Sequence, residues 1–233
     1  MKTLHILSGG AAHALVRALQ PAFEARHGCR IEGTFGAVGL MKDKLLGGEP
    51  CDLLILSAAL IRDLAAQDHA VAGSARDLGV AKTGVAVRAG AAEADIGSPE
   101  ALKALLERAS GIYFPDPAKA TAGIHFMKVL QGLGLAEAAA TRLHTFPNGA
   151  TAMGALAKAP DLGAVGCTQV TEILDTPGVR LLGLLPPPYE LATVYTAAVA
   201  ARAAEPELAA ALAAALSDAS AEGARKHAGF EPA

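Results

Sequence analysis

The sequence predicts an α/β protein of two lobes, each a mixed, mostly parallel sheet flanked by helices. Three observations predict it. The chain has 233 residues, room for two domains of roughly 100 residues each. Strand and helix patterns alternate along it, as parallel neighbours joined by helical crossovers require. The alternation runs as two series separated by the polar, Gly-containing stretch 88–98, and a last strand and helix stand apart from the second series.

The first series opens with a strand at Leu4–Leu7, then a helix over 11–26, a strand at Arg30–Phe35, a helix at Leu40–Leu46 and a strand at Asp52–Leu56. A helix at Ile61–Ala66 and a strand at Val80–Val87 follow. Ser98-Pro99-Glu100 begins the second series, with serine as N-cap, proline in the first turn and Leu102, Leu105 and Leu106 at helical spacing. Next come a strand at Gly111–Phe114, a helix at Ala122–Leu133, a short strand at Leu143–Phe146, a helix at Gly149–Ala157 and a strand at Leu162–Cys167. Pro186-Pro187-Pro188 stiffens a connection into the strand Leu191–Val199, and Pro206–Lys226 is read as one Ala/Leu helix with a packing stripe at Leu208, Leu212 and Leu216. Returning the last strand and helix to the first series makes residues 1–81 with 191–233 one lobe and 82–190 the other.

Composition narrows the function classes. Hydrophobic residues at 52% and charged residues at 18% describe a folded chain. A net charge of -3 provides no basic footprint for nucleic acid. No apolar run reaches the ~18 residues of a membrane-spanning helix, so no membrane insertion is expected. Cys29, Cys51 and Cys167 are odd in number and widely spaced, which points to buried thiols rather than a disulfide framework or zinc site. No metal and no cofactor is expected: the GxxxxGKS/T and GxGxxG phosphate patterns are incomplete, and neither a GxSxG elbow nor an HExxH helix is found. Met1-Lys2-Thr3 leads directly into a strand, so the expectation is a cytoplasmic protein as the sequence stands, or a periplasmic one whose leader has been removed.

Chemistry is expected at the carboxyl ends of the strands, where βα turns present helix N-termini. Four turns suit a small anion: Ser8-Gly9-Gly10, Gly36-Ala37-Val38-Gly39, Thr121-Ala122-Gly123 and Asn148-Gly149. Their small residues let a ligand approach the backbone. His13 and His125 lie just past two of these turns, where an imidazole moves a proton near neutral pH or sits on the helix surface. Lys82 and Thr83 at the first crossover, Tyr195 on the second and Cys167 at a strand end complete the candidates for an interlobe cleft.

The order of motifs resembles a known family. Gly48-Glu49-Pro50-Cys51-Asp52-Leu53, Asp116-Pro117, Ala122-Gly123-Ile124, Leu130-Gln131-Gly132-Leu133-Gly134, Leu162-Gly163-Ala164-Val165-Gly166 and Ala228-Gly229-Phe230 are similar to the molybdate-binding proteins of the class II periplasmic-binding fold. The resemblance spans nearly the whole chain and implies two α/β lobes that close on a ligand held between them. Those binders use serine hydroxyls in the first two turns, where this sequence has Gly10 and Ala37-Val38-Gly39, and a tyrosine where it has Gly166 or Cys167. Loss of hydroxyl donors disfavours a compact oxyanion. The expected guest is therefore a di- or tricarboxylate rather than molybdate. A transporter permease is the expected partner only if a leader was removed. Aconitate isomerase resembles the same binders and implies the alternative, a cytosolic isomerase that moves an allylic proton on a tricarboxylate, with His13 and His125 as proton carriers. A metabolite sensor without chemistry is the third reading.

Overall fold

The computed structural model describes residues 1–233. In chain order its elements are β1 (Lys2–Gly9), a 3-10 turn (Gly10–Ala12), α1 (His13–His27), β2 (Cys29–Gly36), α2 (Val38–Leu46), β3 (Leu53–Ser57), α3 (Ala58–Ala66) and β4 (Arg76–Arg88). The second series is α4 (Pro99–Arg108), β5 (Ile112–Pro115), α5 (Thr121–Gly132), β6 (Leu143–Phe146), α6 (Gly149–Leu156), β7 (Val165–Gln169), α7 (Val170–Leu174) and β8 (Val179–Leu184). The chain ends with β9 (Ala192–Val199), α8 (Pro206–Ser217) and α9 (Glu222–His227). Two compact units result, Met1–Ala81 with Thr193–Ala233, and Lys82–Ala192.

In the first unit β1 lies between β2 and β3, parallel to both, and β3 pairs antiparallel with β9. Leu4, Ile6, Leu7 and the run Leu53–Leu56 are all buried, the near-continuous apolar pattern of strands covered on both faces. Leu15 and Val16 of α1 and Leu212 and Leu216 of α8 belong to the same cluster. Gly28 ends α1 at a φ of 60°, a left-handed position that glycine adopts without Cβ strain.

In the second unit β5 is flanked by β6 and β7, parallel to both, while β4 runs antiparallel to β7 and β8. Successive residues of β4 serve opposite faces: Val85 and Val87 join a cluster with Phe114 and Phe126, and Ala86 joins one with Met153 and Leu156. Ser98 caps α4 as the sequence predicts, its Oγ accepting from the Ala101 amide at 3.1 Å, with Pro99 in the first turn.

Several expectations are corrected. The strand read at 162–167 lies at Val165–Gln169, and both α7 and β8 went unread. Five helical residues are too few to display a 3.6-residue period. The tail is two helices, because Asp218 takes an extended conformation and turns its carboxylate to the Ser220 amide.

Candidate functional site

The first unit places two of the predicted turns side by side. Parallel register sets Gly9 opposite Gly36 and Ser8 opposite Phe35, so β1 and β2 end together. The 3-10 turn and α1 follow from Gly9, and α2 follows from Ala37; no side chain caps any of these starts. Uncapped N-termini keep backbone N–H groups and the positive end of the helix dipole directed outward. The third strand end is different, because Ser57 accepts from the Leu60 amide and caps α3 itself. A serine directly before an apolar helical run was the readable signal for that cap.

Packing limits what some predicted residues there can do. Ser8 is fully buried and its hydroxyl donates to the Gly9 carbonyl at 2.9 Å. A Cβ on Gly9 would collide with the Tyr195 ring and with Val38, so this glycine is required by close packing. Tyr195 itself is buried in the core, with its ring 6.1 Å from Phe230. His13 opens α1 half-buried, edge-on to Phe35 at 4.8 Å. Gly10 and Gly39 fall in the first turns of their helical segments.

The second unit brings the ends of β5, β6 and β7 to one edge, followed by α5, α6 and α7. Ala120 leaves α5 without a side-chain cap, and Thr121, Ala122 and Gly123 form its first turn. Gly123 presses on the strand end: a Cβ there would fall within 3.0 Å of the Pro115 and Asp116 carbonyls. His125, further along α5, uses Nε2 in a 2.8 Å hydrogen bond with the Tyr189 carbonyl.

The α6 start is already filled. Asn148 caps it through the Thr151 amide at 2.8 Å, and the carboxylate of Glu172, on α7, meets it from within the core. Thr168 donates to Glu172 Oε2 at 2.6 Å, and the backbone amides of Ala150, Gln169 and Gly149 stand beside the same carboxylate. Burial pushes the Glu172 carboxyl above its ordinary range, while the Thr168 hydroxyl and these amides pull it back down. Gly149 has no room for a Cβ because Glu172 and Thr168 occupy that space. The sequence reading missed Glu172, since a glutamate in a polar run reads as surface; Thr168-Gln169 before a short apolar turn was the available signal.

Thr83 pairs with Gln169 at the end of β7, both buried, with Oγ1 3.5 Å from Oε1. Lys82 precedes it at partial exposure. Cys167 lies in mid-strand rather than at the sheet edge, 0% exposed among Val85 and Val165. Burial holds its thiol well above the ordinary range, and the same cause pushes Cys51 up to about 12, so both are inert thiols. No helix is long and apolar enough to cross a membrane.

A family model described as bacterial extracellular solute-binding protein matches residues 4–231. An aconitate isomerase from Pseudomonas sp is 28% identical over 218 residues, covering 90% of this chain and 80% of that protein. The periplasmic molybdate-binding protein of Azotobacter vinelandii superposes with a TM-score of 0.78 at 18% identity over 99% of each chain. The sulfate-binding protein SubI from Mycobacterium tuberculosis H37Rv does so with a TM-score of 0.75 at 17% identity, over 100% of this chain and 87% of that one. These likenesses establish the fold as that of the two-lobed periplasmic binding proteins, as the order of motifs implied.

Proposed function

The chain belongs to the bacterial extracellular solute-binding protein family, and from that premise we propose that it captures a small di- or tricarboxylate through the open amide ends of its βα turns. The observation that carries the reading is three helical segments that start at strand ends without a side-chain cap: the 3-10 turn behind Gly9, α2 behind Ala37 and α5 behind Ala120. Each offers main-chain donors to a negative group. Hydroxyls are scarce beside the first two, since Gly10 and Ala37-Val38-Gly39 carry none and the Ser8 hydroxyl is spent on the Gly9 carbonyl, while α5 starts with the single hydroxyl of Thr121. Apolar side chains stand in the same first turns, with Leu40 39% and Ile124 37% exposed. That mixture suits carboxylates on a carbon skeleton better than a compact oxyanion ringed by oxygens. As a binder of this family the protein would deliver its guest to a transporter permease.

The test is thermal melting with molybdate, tungstate, sulfate, succinate, citrate and the two aconitates. At about one hundred times Kd a ligand adds ~2.7 kcal/mol, which raises the midpoint of a chain this size by roughly 5–10 °C. A shift with a carboxylate is expected; a shift with molybdate or sulfate alone would overturn the carboxylate assignment.

The relative named aconitate isomerase favours a second reading on the same site. Here a base removes a proton from the allylic methylene, the double bond migrates, and the proton returns to the former vinyl carbon, so nothing is oxidised or reduced. The candidate proton carriers are His13, which opens α1 directly after the 3-10 turn, and His125, whose Nε2 bonds the Tyr189 carbonyl. Proton NMR of trans-aconitate in D₂O checks this reading: deuterium uptake with appearance of the cis isomer is expected, and no uptake at high protein concentration removes it.

A further inference from the structure

At the start of α6 a carboxylate comes from the protein itself. We infer that Glu172 is a positioning residue that occupies the amide end of α6 as an internal carboxylate, leaving α5 as the open helix start in the second unit. This rests on the carboxylate reading only for what the open ends are used for.

The geometry is that of a filled anion site. One hydroxyl bonds the carboxylate and three backbone amides stand beside it and favour its charged form: Thr168 donates to Oε2 at 2.6 Å, and the amides are those of Gly149, Ala150 and Gln169. They come from the start of α6, the end of β7 and the junction of β7 with α7, so a single group ties three elements. Asn148 takes the next amide of α6, at Thr151. Glu172 is 7% exposed, and the missing Cβ of Gly149 makes the space it fills. An anion from solution would have to displace a covalently tethered carboxylate at effectively far higher local concentration. Asn148 and Gly149, attractive in the sequence as ligand residues, therefore shape a turn that the chain has satisfied internally.

The experiment removes the tether. Glu172→Ala deletes the atoms of an acetate, so acetate at pH 8 is expected to restore much of the variant's lost melting temperature in a saturable way, while acetamide and matched chloride restore none. The wild type is expected to show no such acetate effect. Acetate acting no better than acetamide would overturn the proposal, because a side chain needed only for packing is not rescued by charge. Should Glu172→Ala yield no folded protein, Glu172→Gln decides through amide exchange. Gly149 and Ala150 are expected to exchange about tenfold faster than in the wild type, as they lose the negative group beside their N–H; unchanged rates would overturn the assignment. A wild type that binds no carboxylate at all would sink the function proposed above without touching either result.

Discussion

Gly123→Ala is expected to lower unfolding stability by about 3 kcal/mol, the upper part of the range for overpacking a tight site. Glycine inside a helix ordinarily costs stability, and its replacement by alanine ordinarily gains roughly 1 kcal/mol. The sign reverses here because the Cβ would meet the backbone carbonyls of Pro115 and Asp116, which cannot rotate away. Relief requires the first turn of α5 to lift off the end of β5, and that turn is one of the open amide ends. Ligand binding should weaken together with stability. Gly154→Ala is the matched control, since that glycine lies within α6 and a Cβ there meets nothing within 4 Å. Urea unfolding of both variants decides the matter, and a gain for Gly123→Ala equal to the control's would show that the close approach is not maintained in solution.

Asp52→Ala should be comparably costly, again about 3 kcal/mol, by a different mechanism. Asp52 is 1% exposed, and its two carboxylate oxygens accept from the His5 amide at 2.7 Å and the Glu205 amide at 2.9 Å. Its own carbonyl accepts from the Ala200 amide at 2.9 Å. One side chain thus ties β1 to the start of α8, where the helix dipole also favours a negative group. Alanine would leave two donors without their partner, at roughly 1–3 kcal/mol each. Asp52→Asn keeps one acceptor oxygen and should lose about half as much. Equal midpoints for wild type and Asp52→Ala in chemical denaturation would dismiss the tie.

Much of the fold was legible because its signals are local. Ser98-Pro99 announced α4, and the alternation of apolar strands with helical stripes predicted two α/β series. Three of the four turns read from small residues after strand patterns, at Gly9, Ala37 and Ala120, lead into helical segments without a side-chain cap, and the fourth is capped by Asn148. The unread elements are those whose patterns are short or ambiguous. Helix α7 has five residues, and β8 is a six-residue run with no fully buried position, so neither displays its period clearly. Cys167 was drawn toward the sheet edge by ending its strand two residues early, and the thiol belongs to the core.

The order of elements, the apolar faces and the scarcity of hydroxyls in the first two βα turns belong to the sequence by itself, because each depends on residues within a turn or a strand of one another. Which amide ends stay open was decided by tertiary structure. Ser57 closes α3 from the adjacent residue, but Glu172 closes α6 from another helix, and Asp52 reaches α8 from across the first unit. A buried donor accepts whichever partner the fold delivers, near or far in the chain, and only packed elements reveal that partner.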